Sequence, residues 1–136
     1  MILGDYMYYN VRSAAILTNA FVAGTILAPN DVTGNKNANP SGENQLIVYV
    51  KFTLGSLTDG QVKIEFSHDG TNFYQESFSS ISAGVDTVSL GAHKFTASGN
   101  YRIAVPIKDN FIRISAIGTG TVTSSSMTVD ATLGTV

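Results

Sequence analysis

An all-β fold, an antiparallel β-sandwich of jelly-roll type with seven to nine strands, is what this 136-residue chain predicts, on three observations. The first is alternation. In "QVKIEFS", residues 61–67, Val62, Ile64 and Phe66 point one way while Gln61, Lys63, Glu65 and Ser67 point the other. A period of two marks a strand with one buried and one wet face. The second is composition: charged residues are only 13% of the chain, well below the usual share of about 25%. The polar remainder is Ser, Thr, Asn and Gly, which suit strands and turns better than surface helices. The third is punctuation, with turn signals between apolar stretches roughly every 8 to 15 residues and no helical crossover among them.

The chain opens on "MILGDYMYYN", where three of the six tyrosines, Tyr6, Tyr8 and Tyr9, stand close to Met7. Side chains of this size are poorly placed on a free terminus, which is ordinarily disordered unless tied down. Residues 1–13 are therefore either a first strand or an arm that docks on a partner, and Tyr6, Met7, Tyr8 and Tyr9 are the candidate partner contacts. Residues 14–136 form a single sandwich domain. The stretch "SAAILTNAFVAG", 13–24, admits a helix capped by Ser13 and stopped at Gly24, with Ile16, Leu17, Ala20 and Phe21 on one face. It also admits a strand pair, the reading that the strands downstream favour. Residues 29–44 form a polar loop rich in Asn, Gly and Pro, of a length that is either mobile or used for contact.

"NQLIVYVKFTL", 44–54, aligns Leu46, Val48, Val50, Phe52 and Leu54, then turns through "GSLTDG" into the alternating strand. In "SHDGTNFYQ" the Asp69-Gly70 pair signals a tight hairpin, because both residues adopt positive φ readily. "NFYQESF" then runs into a Ser/Gly cluster, "SSISAG". "YRIAVPI", 101–107, groups Tyr101, Ile103 and Val105, and Pro106 ends that strand or places it at an edge because it has no N–H to donate. "FIRISAIG", 111–118, buries Ile112 and Ile114 with Arg113 outward. "GTGT" leads into "VTSSSMTVDATLG", whose hydroxyls mark a solvated or partner-facing side.

Charge and chemistry narrow the function. The eight basic residues are scattered singly and the net charge is −2, which argues against nucleic acid, since that needs a concentrated basic footprint. Without cysteine there is no disulfide or thiolate metal site. The N-terminus has no basic n-region and carries Asp5 where a signal peptide is apolar. The longest apolar run, "LIVYV", falls far short of the ~20 residues of a membrane helix. No membrane contact and a cytoplasmic place of synthesis are expected. His68 and Asp69, as a catalytic pair, would need a nucleophile or substrate proton and an orienting group; they read more simply as solvated turn residues. His93 lies in a loop-like stretch, "LGAHKFTASG", and two histidines do not supply the three or four ligands of a zinc site. No calcium loop, nucleophile elbow or phosphate loop occurs, and "GTGTVT" lacks the third glycine of a dinucleotide fingerprint. No catalytic residue, metal ligand or cofactor is therefore assigned, and no enzymatic activity is expected. A carbohydrate-binding module stays open as an alternative, because the six Tyr and seven Phe offer stacking faces, although strand aromatics more often serve the core.

The order of pieces over residues 14 to 134 resembles the jelly-roll capsid cement or decoration proteins of tailed bacteriophages. An Ala/Thr-rich opening and a Gly/Asn loop lead to "LIVYVKFTLGSLTDGQVKIEFSHDGTNFYQ", then "ISAG", "YRIAVPI", "FIRISAIGTGT" and a Ser/Thr-rich end in "VDATLG". The shared marks are a strand–S-x-DG-T-x-F–strand hairpin and a later Y-R…F-I-R…G-T hairpin; the first also occurs in tail and neck proteins built on the same sandwich. The resemblance implies a structural virion protein without enzymatic activity. It would be made in the host cytoplasm and bound to the capsid exterior, with the major capsid protein and other copies of itself, as dimers or trimers, for partners.

Overall fold

The computed structural model describes residues 6–28, 45–75, 77–90, 92–107, 109 and 111–134. They form eleven strands: β1 (Tyr6–Ala15), β2 (Val22–Ala23), β3 (Gln45–Thr53), β4 (Leu57–Ser67), β5 (Tyr74–Gln75), β6 (Ser77–Ser82), β7 (Val85–Leu90), β8 (His93–Phe95), β9 (Gly99–Pro106), β10 (Phe111–Gly120) and β11 (Ser126–Gly134). Nine make two antiparallel sheets. One has the order β1-β11-β3-β9; the other has β2-β10-β4, with β5 and β8 sharing the far edge of β4. The remaining two, β6 and β7, pair as a separate hairpin.

The pairing identifies the architecture. With β5 and the β6–β7 hairpin set aside, eight strands remain, and they pair from the ends inward: β1 with β11, β2 with β10, β3 with β9 and β4 with β8. Folding that ribbon over brings β11 beside β3 and β10 beside β4. A double sheet wound in this way is a jelly roll, as the alternation and turn spacing predict.

Alternate residues of the facing strands build the core: Leu46, Val48, Val50 and Phe52 from β3, and Met127, Val129, Ala131 and Leu133 from β11. Against them lie Val62, Ile64 and Phe66 from β4 and Ile112, Ile114 and Ala116 from β10. Each large apolar side chain buried here contributes roughly 1.5–3 kcal/mol. β9 closes one sheet as an edge strand and ends at Pro106, the strand end where a residue without an N–H is tolerated.

Several local expectations are corrected. The second Asp-Gly is not a turn: Asp59 and Gly60 lie inside β4, and the turn from β3 sits earlier, closed by the Leu57 N–H on the Leu54 carbonyl at 3.1 Å. Gly60 answers to packing, because a β-carbon there would stand 2.6 Å from the Phe52 ring of the opposite sheet. The "Y-R…F-I-R" segment is not a hairpin either, since β9 and β10 belong to opposite sheets. Of the two readings of residues 13–24, the strand reading holds at both ends, in β1 and in β2 (Val22–Ala23), and no helix forms between them. Ser13 to Ala15 finish β1, and the Leu17 N–H donates to Ser125 Oγ at 3.1 Å while Thr18 O accepts the Gly118 N–H at 2.8 Å. Those backbone groups are satisfied across the sandwich, which removes the driving force for a local i→i+4 ladder. "SSISAG" belongs to β6 and its turn, where Ala83 (φ 51°) and Gly84 (φ 79°) are both left-handed, the signature of a two-residue type I′ connection. The long polar loop of residues 29–44 lies outside the described residues.

Candidate interaction surface

The "SHDGTNF" segment is a loop rather than a two-residue turn. Pairing resumes at Phe66 with Tyr74, so residues 68–73 connect β4 to β5, and of Asp69 and Gly70 only the glycine has positive φ. Asp69 is the organiser. Its Oδ1 accepts the Thr71 and Asn72 N–H groups, each at 2.8 Å, and the Ser67 hydroxyl at 2.9 Å; its Oδ2 accepts Asn72 Nδ2 at 2.8 Å. The Asn72 and Thr71 amides, followed by the Asn72 side chain, hold the Asp69 carboxyl well below the usual carboxylate range. His68 is exposed, with Nε2 3.8 Å from Asp69 Oδ2 and its ring stacked on Tyr74. Asp69 therefore turns in to hold the loop rather than out into solvent, and this pair is a structural cap.

The loop also delivers Phe73 onto Arg113, whose guanidinium carbon lies 4.2 Å from the ring centroid. Arg113 grips Glu65 with two nitrogens at 3.0 and 3.1 Å; Lys63 reaches the same carboxylate at 3.7 Å and lies 4.3 Å from the Phe21 ring centroid. Two cations thus flank one carboxylate, with a ring over each. This corrects the expected wet face of β4: Glu65 is 6% exposed and Ser67 is fully buried.

The N-terminal tyrosines lie on β1, in register from Tyr6 opposite Gly134 to Tyr9 opposite Ala131. Tyr8 projects outward and its hydroxyl donates to Asp130 Oδ1 at 2.8 Å, beside Asn10 Nδ2 on the same oxygen at 2.9 Å. The hydrogen bond to Asp130, with desolvation and the carboxylate's charge behind it, raises the Tyr8 phenol above its ordinary value. Tyr9 turns the other way and packs against the core. The two therefore face opposite sides of the sheet; the side chains of Tyr6 and Met7 lie outside the described residues. His93 opens β8 instead of lying in a loop, and burial pushes its imidazole pKa down. Among the described residues no group of three His, Asp or Glu side chains is placed to hold a metal ion.

Among the described residues, several exposed apolar side chains fall within one short segment, on the flank where the β1 and β2 edges meet. Ile16, Phe21, Val22 and Ile26 are 38–53% exposed, and Ala14, Ala15, Ala20 and Ala23 are exposed around them. Only Leu17 and Leu27 of this segment reach the core. The backbone fixes it there: Gly24 N–H donates to Ile114 O at 3.0 Å, Thr25 N–H to Val11 O at 3.1 Å, and Leu27 and Ile112 exchange bonds of 2.9 and 2.8 Å. Gly24 passes so near the Val11 carbonyl that any β-carbon would collide with it, and this close crossing joins the two sheet edges into one flank. Arg12, at its margin, spends its guanidinium on the carbonyls of Ala15, Ile16 and Met127. From residue 13 to 28 the chain carries no charge. That gap is the one sequence signal for this surface, and it is masked because the same apolar residues read equally well as core.

No family model matches the sequence, and no curated protein matches it. Among solved structures, a chain from the study "Bacillus endospore appendages form a novel family of disulfide-linked pili" aligns with a TM-score of 0.42 and 14% identity, covering 96% of this chain and 88% of that one. A likeness at that level carries no functional inference.

Proposed function

We propose that this protein is a structural virion protein of a tailed phage, a capsid cement or decoration protein that binds the exterior of the major capsid protein lattice and stabilises it. The observation that carries the proposal is a complete jelly roll, in a chain poor in charge, that exposes Ile16, Phe21, Val22 and Ile26 within one short uncharged segment. A cement protein works by complementary surfaces on a rigid module. The tied Phe73–Arg113–Glu65–Lys63–Phe21 face supplies rigidity. Small hydroxyl contacts, each net about 0.5–1.5 kcal/mol, add up when a symmetric shell presents the same site many times and avidity multiplies weak binding.

The test is quantitative mass spectrometry of gradient-purified virus particles. A copy number comparable to the major capsid protein supports the lattice-wide role. A far lower number places the protein in the tail or neck, and absence from the particle discards the virion reading.

One observation favours a rival, a carbohydrate-binding module: Tyr74 is 59% exposed, with His68 stacked beside it on the outer edge of the smaller strands. A sugar ring stacked there would raise the melting temperature of the isolated protein with glycan concentration, and Tyr74→Ala would abolish the shift.

A further inference from the structure

The sandwich is laced shut on one side and open on the other. At the β1/β2 side Thr25 N–H reaches Val11 O at 3.1 Å. On the far side β9 is the edge of one sheet, and β5 and β8 share the edge of the other. β8 closes on the start of β9, with the Phe95 and Tyr101 rings 4.4 Å apart. Farther along, the cover thins. β8 pairs only with Gly60, Gln61 and Val62 and β5 only with Glu65 and Phe66, so no described strand flanks Lys63 and Ile64 on that edge. Tyr74 stands opposite Phe66 and hence on the core-facing side of its sheet, yet it is 59% exposed. Ile103 and Val105 of β9 also face the core and are only half-buried.

β9 is also free at its main chain. Gly99 to Pro106 pair with β3 on one side, and on the other no described residue forms a main-chain bond to them. Alternate N–H and C=O groups of an edge strand point outward at the spacing of a further strand. The solvent face of β9 is basic. Arg102 is exposed and diagonal to the exposed Lys51 across the ladder, and neither pairs with a carboxylate among the described residues. Asp130, the acidic side chain of that sheet face among the described residues, already holds Tyr8 and Asn10. We propose that the free edge of β9 takes an extended segment of the major capsid protein as a fifth strand, one in which apolar and acidic residues alternate. Its apolar side chains continue the row of Tyr101, Ile103 and Val105 and cover the exposed Tyr74, while its acidic ones meet Arg102 and Lys51 on the outer face. The added ladder supplies affinity and the alternating side chains supply selectivity. A sugar stacked on Tyr74 leaves the β9 main chain and Arg102 unmatched, and a basic segment meets like charge. The identity of the partner rests on the cement reading; the open edge does not.

Capsid shells stripped of this protein are mixed with the full chain and sedimented. Wild type is expected to pellet with them, and hydrogen exchange of the bound protein to slow about tenfold or more at alternate amides of 99–106. Arg102→Lys is expected to bind as wild type does, and Arg102→Glu about tenfold more weakly, with its circular dichroism and melting unchanged. Ala104→Cys, in a chain with no other thiol, carries a benzophenone and is expected to cross-link to one capsid peptide of alternating apolar and acidic residues. Binding that leaves exchange at 99–106 unchanged overturns the inference while the cement reading stands. So does full binding by Arg102→Glu, or a cross-link to a second copy of this chain or to a capsid segment without that alternation. A wild type that does not pellet with the shells discards the cement reading and this site together.

Discussion

Replacing Arg113 by alanine tests whether the outer face of β4 and β10 is a rigid, load-sharing surface or ordinary solvated sheet. The substitution removes a two-point grip on Glu65 and the cation over Phe73, and it leaves a carboxylate only 6% exposed with Lys63 at 3.7 Å as its remaining cation. Breaking a fully buried pair costs about 3–5 kcal/mol. The Arg113 side chain is 32% exposed, and Lys63 stays, so a loss of about 2–3 kcal/mol is expected after allowing for solvent screening. With a urea slope of about 2 kcal/mol/M for a domain of this size, the midpoint falls by about 1–1.5 M. Equilibrium urea unfolding followed by circular dichroism reads this directly. In a Glu65→Leu background the same Arg113→Ala change is expected to cost at least 1 kcal/mol less, because no buried anion is left stranded. A loss below about 1 kcal/mol, with no coupling to Glu65, would match a surface ion pair and refute the idea of a tied face.

Three further outcomes follow from the same geometry. The Asp69 carboxyl has an ordinary value of 3.8 and lies lower in the folded loop, so its contribution is present above 3.8 and lost as pH falls through the lower folded value. Amide exchange at Thr71 and Asn72 is thus expected to stay protected down to about pH 4 and to open only in stronger acid; opening already near pH 5 would contradict the cap. Gly60→Ala is expected to cost about 1–3 kcal/mol through overpacking on Phe52, whereas Gly99→Ala, whose β-carbon meets Tyr101 at an ordinary 3.6 Å, is expected to be nearly neutral in thermal melts. Ala83→Asn at the left-handed turn position is expected to stabilise the β6–β7 hairpin by about 0.5–1 kcal/mol, seen as slower exchange of its amides with little change in the global melt.

What the sequence determined by itself is the local periodicity. Val62, Ile64 and Phe66, or Leu46, Val48, Val50 and Phe52, point inward because a strand has a period of two and the apolar set has one buried side to occupy. Pro106 marked a strand end for an equally local reason, the missing N–H. Which strands pair was beyond it. β3 and β4, or β9 and β10, are consecutive in sequence yet lie in opposite sheets, because ends-to-middle pairing is set by contacts between segments far apart in the chain. The interaction surface shows the same limit. Ile16, Phe21, Val22 and Ile26 have the composition of core residues, and only the short β2 ladder and the tight passage of Gly24 by Val11 leave them outside. Asp69-Gly70 carried the right turn signal, but its role as the cap of the loop between β4 and β5 needed Ser67, Thr71 and Asn72 to converge on one carboxylate. Burial depends on the competition of every apolar side chain for one core of finite volume, and that competition is settled only when the two sheets close on each other.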